Sequence, residues 1–395
     1  MKSVPNWKRD IKYYIKKAYF DNKHSDVDFI LQQVVDFFAN KYISKNDEKL
    51  INLFLKENVS QADLDKFIEE WDIEAEGGHK ALMLSYFMKN HPELNYPVYI
   101  EPRLNGILKY YRFRNLNLMS HFKRVCTALK AANIDILIMK GGAFRHYHPE
   151  FPRIMSDIDI LIPSKDYENA KKIALDFGYK YMECKHSIDL IDPNANINVL
   201  DIHHKLDMQS DVVNSFNEDI YKRAHSETVF NVNDIYVPCP EDMMFLLLVN
   251  LVKNMTRITS FQSILYSVID SMYLINLKPD FDWNIVRQNA IKTNTEPQVA
   301  VAIEFLNRFV SAKLPEMFTE EFRERSILYL YNEWFIKSLR KRSHSLNFGD
   351  IFKNLWHDLI YYFKFRPQYV LYRRKTISKN PKLAKEVLEK QRLIG

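Results

Sequence analysis

The sequence predicts an α+β protein in which a small mixed β-sheet is flanked by helical N- and C-terminal regions. Three observations predict it. Residues 1 to about 125, and again those beyond Pro240, read as helical, with apolar residues recurring at helical spacing. Between them lie short runs rich in β-branched residues, punctuated by glycine and proline. These runs alternate with helical stretches in the order β-turn-α-β-α-β-β, which suits a mixed sheet with helices packed against it. The changes of character divide the chain into an N-terminal helical region (1–114), a core (115–239) and a C-terminal helical domain (240–395).

Each element has its own signal. Ser60 and Asp63 form a cap for a helix through Phe67, Ile68 and Trp71, which Gly77-Gly78 ends as a turn. His91 to Arg103 contains Pro92, Pro97 and Pro102 and reads as a linker. Leu118, Phe122, Val125, Cys126 and Leu129 mark one face of a helix from Asn115 to Ala132, stopped at Asn133. Ile134 to Met139 is a strand, and a short helix after Gly142 runs to about His148, before Pro149 and Pro152. Ser156 to Ile162 is a second strand, ended by Pro163. Ser164 caps a helix through Ala170, Ile173 and Phe177, with Gly178 just past its end. Tyr179 to Cys184 and Asn196 to His203 are further strands; in the latter Ile197, Val199, Asp201 and His203 share a face. Glu241 to Lys253, Phe261 to Leu277 and Asn284 to Thr293 are helices.

Bulk properties exclude several classes. A chain of 395 residues suits two or three domains, and 47% hydrophobic with 27% charged residues is globular rather than disordered. A net charge of +6 favours an anionic partner without choosing among nucleic acid, nucleotide and membrane surface. Cys126, Cys184 and Cys239 are too far apart for a CxxC zinc site or a disulfide framework, which predicts a cytoplasmic location. The N-terminus has no apolar signal region, and no run approaches the roughly 20 apolar residues of a spanning helix. GxGxxG, Gly-x4-Gly-Lys-Ser/Thr and GxSxG motifs do not occur.

The informative stretch is Lys140-Gly141-Gly142 followed by Ser156-Asp157-Ile158-Asp159. Two of only 8 glycines stand together where an apolar run ends, and a backbone without Cβ atoms can approach a phosphate closely. In a strand Asp157 and Asp159 point the same way. Two carboxylates within the apolar run Ile154 to Ile162 are costly unless paired or metal-bound. Such hard oxygens beside a phosphate-accommodating turn suit Mg2+-dependent phosphoryl or nucleotidyl transfer. The bland alternative is an exposed edge strand carrying acids for solubility.

Lys140-Gly141-Gly142, then Arg153-Ile154-Met155-Ser156-Asp157-Ile158-Asp159, then Leu200-Asp201-Ile202-His203, resembles the DNA polymerase β-like nucleotidyltransferase superfamily. Within it the chain is most similar to the bacterial uncharacterised nucleotidyltransferase family, over roughly residues 100 to 300, with Asp270 in an apolar helix fitting a later segment. The resemblance implies a nucleotidyltransferase core in which Gly141 and Gly142 hold the triphosphate and Asp157, Asp159 and Asp201 bind Mg2+ or Mn2+ and carry catalysis. Gly142 stands where serine is more usual. Lys140 and Arg153 are the nearby cations, each suited either to a phosphate or to a salt bridge, and Ser156 to a metal ligand or to strand entry.

The function implied is Mg2+-assisted transfer of a nucleoside monophosphate from an NTP such as ATP to an acceptor hydroxyl on a sugar, small molecule, RNA or protein. The alternative is a catalytically inactive nucleotidyltransferase-fold module that binds a nucleotide, RNA or a protein partner. His146, His148, His203 and His204 invite a zinc reading, but no cysteine accompanies them. His203 shares the face of Asp201. Lys337, Arg340, Lys341 and Arg342, with Arg373, Arg374 and Lys375 after Tyr361-Tyr362-Phe363, are either a solvated helix face or a peripheral contact to a membrane or anionic polymer.

Overall fold

The computed structural model describes Val35, Ala39 and residues 42–309, apart from 57, 72–77, 152, 185, 196, 207–212, 257–260, 279 and 294. Gly77, Pro152, Asn196 and the basic and aromatic clusters between Lys337 and Lys375 lie outside the described residues.

Among the described residues four helices precede the sheet: α1 (Lys45–Leu55), α2 (Gln61–Glu69), α3 (Gly78–Asn90) and α4 (Ile100–Ala131). Ser60 caps α2 as expected: its side chain accepts from the Asp63 N–H while Asp63 reaches back, a reciprocal box that satisfies two otherwise open donors. Gly78 opens α3. The linker is shorter than its prolines suggest. Helix α4 starts at Ile100 rather than Asn115, with Pro102 in its first turn, where a missing N–H costs nothing. It stops where expected, with Asn133 in the left-handed region at φ 57°.

Among the described residues seven strands form one mixed sheet. They are β1 (Leu137–Ile138), β2 (Ile158–Leu161), β3 (Lys180–Glu183), β4 (Ser187–Ile191), β5 (Asn198–His203), β6 (His225–Val229) and β7 (Val232–Val237), in the order β3-β4-β5-β2-β1-β7-β6. β2 and β5 run parallel, as do β1 and β7; the remaining neighbours are antiparallel. Interleaved are α5 (Lys140–Tyr147), α6 (Tyr167–Asp176) and α7 (Val213–Arg223). Ser164 does not cap α6; its hydroxyl donates to the His204 carbonyl (2.8 Å), and a short 3-10 turn, Ser164–Asp166, leads into the helix. Gly178 follows α6 at φ 81°, the left-handed exit that glycine permits. β4, α7 and the β6–β7 hairpin were not expected.

Helices α8 (Pro240–Thr256), α9 (Phe261–Leu277), α10 (Trp283–Thr293) and α11 (Glu296–Asn307) follow the sheet. One apolar core joins them to α4, α5 and the sheet through residues such as Phe122, Ile138, Ile158, Ile202, Phe245 and Val268. No described helix is long and apolar enough to cross a membrane.

Candidate active site

The site forms where β1 ends beside β2 and β5. In the parallel β2–β5 pair Asp159 lies in register with Asp201, so both carboxylates stand on one face of adjacent strands. On the far side of β5, Asp189 of β4 is in register with Asp201, giving a row of three aspartates across three strands. His203 shares the face of Asp201 by strand parity. Its Nε2 lies 2.9 Å from Asp201 Oδ2 and 3.1 Å from Asp159 Oδ1.

The turn after β1 is fastened to this row. The Met139 N–H donates to the Asp159 carbonyl (2.9 Å). Lys140 then takes φ 47°, a left-handed conformation unusual for a long side chain, and its ammonium pairs with Asp159 Oδ1. Lys140 thus meets a carboxylate, the salt-bridge half of its two sequence readings.

The two glycines differ. Gly142 donates its N–H to the Met139 carbonyl (3.1 Å). A Cβ there would lie 2.9 Å from Ile138 Cδ1 and 3.1 Å from Ile158 Cγ2. Helix α5 can approach the sheet because Gly142 has no side chain, and its amide is already engaged. At Gly141 a Cβ would lie 3.3 Å from Arg153 Nε.

The compact ligand group is Asp159, Asp201 and His203, whose donor atoms all fall within 4.8 Å of one another. Asp157, expected as the third member, stands outside this group, half-buried just before β2, and accepts from the Ser156 hydroxyl (2.7 Å). The signal for His203 was its two-residue offset from Asp201. Arg153 turns to α9, pairing with Asp270. His146 pairs with Glu227 of β6, while His148 accepts or donates at the Tyr86 hydroxyl and stacks on Tyr273 with centroids 3.8 Å apart. The two histidines therefore part company, and no zinc cluster forms around them among the described residues.

The site is rich in acid. Burial alone would raise the Asp159 carboxyl, but the Lys140 ammonium and His203 outweigh it and hold it well below the usual carboxylate range. Burial likewise opposes ionisation of Asp201, and its bond from His203 lowers it on balance. His203 is raised by these two carboxylates against burial and against Lys140. Asp157 is pushed up to about 6, first by burial and then by the charge of Asp159. Asp201 Oδ1 is buried and accepts no hydrogen bond.

Two solved structures share loose likeness. One is the solution structure of the antibiotic-resistance factor ANT(2'')-Ia, at 10% identity and TM-score 0.33, covering 45% of this chain and 91% of that one. The other is the crystal structure of an antigenic nucleotidyltransferase-like protein from Paracoccidioides brasiliensis, at 13% identity and TM-score 0.30, covering 47% and 92%. No curated protein matches. The family model described as uncharacterised nucleotidyltransferase matches residues 81–311, a span that holds the glycine turn, the row of aspartates and Asp270. That match covers more than half of the sequence, and the chain belongs to the uncharacterised nucleotidyltransferase family.

Proposed function

We propose that this protein transfers a nucleoside monophosphate from an NTP to an acceptor hydroxyl, assisted by Mg2+ or Mn2+. The observation that carries the reading is the in-register pair Asp159 and Asp201, bridged by His203, with Asp201 Oδ1 left without a donor. A divalent cation held by Asp159 and Asp201, with Asp157 close by, would supply charge neutralisation for the triphosphate and lower the pKa of the acceptor hydroxyl.

The chain's own groups do the rest. Lys140, next to Gly141 in the chain, would exchange Asp159 for a phosphate oxygen. The amide of Gly141, at the N-terminal end of α5, favours negative charge there. Gly142 contributes by letting α5 sit close to β1 and β2. Asp201 would take the hydroxyl proton. The acceptor oxygen forms its bond to the α-phosphorus in line as the bond to the bridging oxygen breaks and pyrophosphate leaves.

One observation favours a second reading, a nucleotidyltransferase fold retained as a binding module. Lys140 already pairs with Asp159, and His203 lies between Asp159 and Asp201, so these two carboxylates have cationic partners without a metal ion. Incubation of the full chain with each α-labelled NTP, Mg2+ and cell extract decides between them. Transfer of label with pyrophosphate release, lost in Asp159→Asn, supports the enzyme. A thermal midpoint raised by NTP and Mg2+ without label transfer supports the module. A chain unaffected by any NTP with Mg2+ loses both readings.

A further inference from the structure

Helix α9 reads Phe-Gln-Ser-Ile-Leu-Tyr-Ser-Val-Ile-Asp-Ser-Met-Tyr-Leu-Ile-Asn-Leu, and Asp270 is its only charged residue. Asp270 is 3% exposed. Its one cationic partner among the described residues is Arg153. The second carboxylate oxygen is buried without a donor.

Arg153 in turn touches α4, α5 and α9 around the glycine turn. Its guanidinium lies over the Phe144 ring of α5, 5.4 Å from the centroid, and over the Tyr266 ring of α9, at 5.1 Å. Its Nε flanks Gly141 so closely that a Cβ there would meet it at 3.3 Å. Its carbonyl accepts from Asn115 of α4 (2.7 Å).

A buried ion pair of this kind is a poor source of stability, because desolvation offsets most of the attraction. The apolar seam between α5 and α9 would close without it, through Phe144, Tyr266 and Tyr273. What the pair adds is register: a planar fork stacked on two rings and tied to one carboxylate admits a single placement of α9 against Gly141. We propose that Arg153 is a positioning residue, anchored by Asp270, that sets the place of the Gly141 turn and through it the phosphate end of the nucleotide. This deepens the proposed function and rests on that reading. It also assigns Arg153 away from the direct phosphate contact that its proximity in sequence suggested.

The test uses the full chain and two probes, Mg2+ with inorganic tripolyphosphate, and Mn2+ alone, each titrated by calorimetry. The variants are Arg153→Lys, Arg153→Gln, Asp270→Asn and the double Arg153→Gln/Asp270→Asn. Each single variant is expected to weaken tripolyphosphate binding about ten-fold, since displacement of a positioning element by a fraction of an ångström is costly. The double variant should bind no more weakly than the weaker single. Mn2+ alone, held by β2 and β5, should keep its affinity within about two-fold. A direct phosphate contact predicts the reverse: Asp270→Asn binds as well as wild type or better, and Arg153→Lys keeps the affinity that Arg153→Gln loses. Either result, or additive losses in the double variant, overturns the proposal while leaving the nucleotidyltransferase reading intact. Should Asp270→Asn fail to fold, the contrast between Arg153→Lys and Arg153→Gln decides alone. Wild-type protein that binds no tripolyphosphate overturns the proposal and the proposed function together.

Discussion

Two buried charge clusters in this protein contain similar residues and differ in balance. Both carboxylate oxygens of Asp242, at the start of α8, are engaged. Arg223 of α7 donates from Nε to Oδ2 (2.9 Å) and from a terminal nitrogen to Oδ1 (2.7 Å), Asn289 of α10 adds a bond to Oδ1 (2.7 Å), and the Cys239 thiol adds one to Oδ2 (3.2 Å). Around Asp159 and Asp201 the acids outnumber the donors, and Asp201 Oδ1 has none. A saturated cluster needs nothing more and holds α7, α8 and α10 together. An unsaturated one keeps a buried carboxylate oxygen unpaired at a cost in stability, as binding sites do.

Charge removal should therefore act on opposite properties at the two places. Asp159→Asn is expected to lower nucleotidyl transfer at least about a thousand-fold, roughly 4 kcal/mol of transition-state stabilisation. Its unfolding free energy should fall by less than that, about 1 kcal/mol, because Asp157 and Asp201 remain beside Lys140, and Asp201 beside His203, to balance the cations. Asp242→Asn is expected to do the converse. It leaves the Arg223 guanidinium without its carboxylate, so unfolding should become easier by about 3 kcal/mol or more, with little change in nucleotide affinity. Equal stability losses in the two variants would dissolve the distinction.

Asp270 stands between these extremes, with one oxygen paired to Arg153 and the other unpaired. Burial pushes its carboxyl up to about 6, against the pull of Arg153. Its folded pKa thus lies above the unfolded value near 4, so the folded state keeps a proton that the unfolded chain has lost. Stability from this group is greatest below about pH 4, declines between about pH 4 and 6, and is level above, a span of up to about 3 kcal/mol. Thermal midpoints of wild type and Asp270→Asn across pH 4 to 7 measure it. The wild-type midpoint should fall relative to the variant over that interval, and parallel curves would remove the assignment.

The sequence disclosed the elements whose signals are local. The Ser60–Asp63 cap, the Asn133 stop and helix α9 from Phe261 to Leu277 stand as read. The β6–β7 hairpin was hidden by its turn. Phe230 and Asn231 form the two-residue loop at φ 49° and 62°, where Asn-Gly or Asp-Gly would announce it. Phenylalanine tolerates that conformation here because its ring packs edge-on against Phe122, 5.4 Å between centroids, a contact supplied by a helix about a hundred residues earlier in the chain. β4 is short: Ser-Ile-Asp-Leu-Ile offers only Ile188 and Leu190 in alternation, a weak signal that pairing with β5 completes. At the site, strand parity gave the shared face of Asp201 and His203. The register that sets Asp159 opposite Asp201 is a pairing across more than forty residues, and no local pattern encodes it. For the same reason no local pattern shows that His203 joins Asp159 and Asp201.

The adjacent glycines give the finest version of the contrast between packing and function. At Gly142 an added methyl meets Ile138 and Ile158, both fully buried and with no space to retreat. Gly142→Ala is therefore expected to cost about 1–3 kcal/mol by overpacking, read as a lower urea midpoint. At Gly141 the methyl meets only the Arg153 side chain, at a distance that asks for a small shift. Alanine in the first turn of α5 also recovers up to about 1 kcal/mol of helix propensity, so Gly141→Ala should be neutral in stability within about 0.5 kcal/mol. Its effect belongs instead to the guanidinium it displaces: tripolyphosphate affinity should fall while the urea midpoint stays. A Gly141→Ala protein that is destabilised as much as Gly142→Ala would mean that both glycines serve packing, and that the turn owes its place to the core rather than to Arg153.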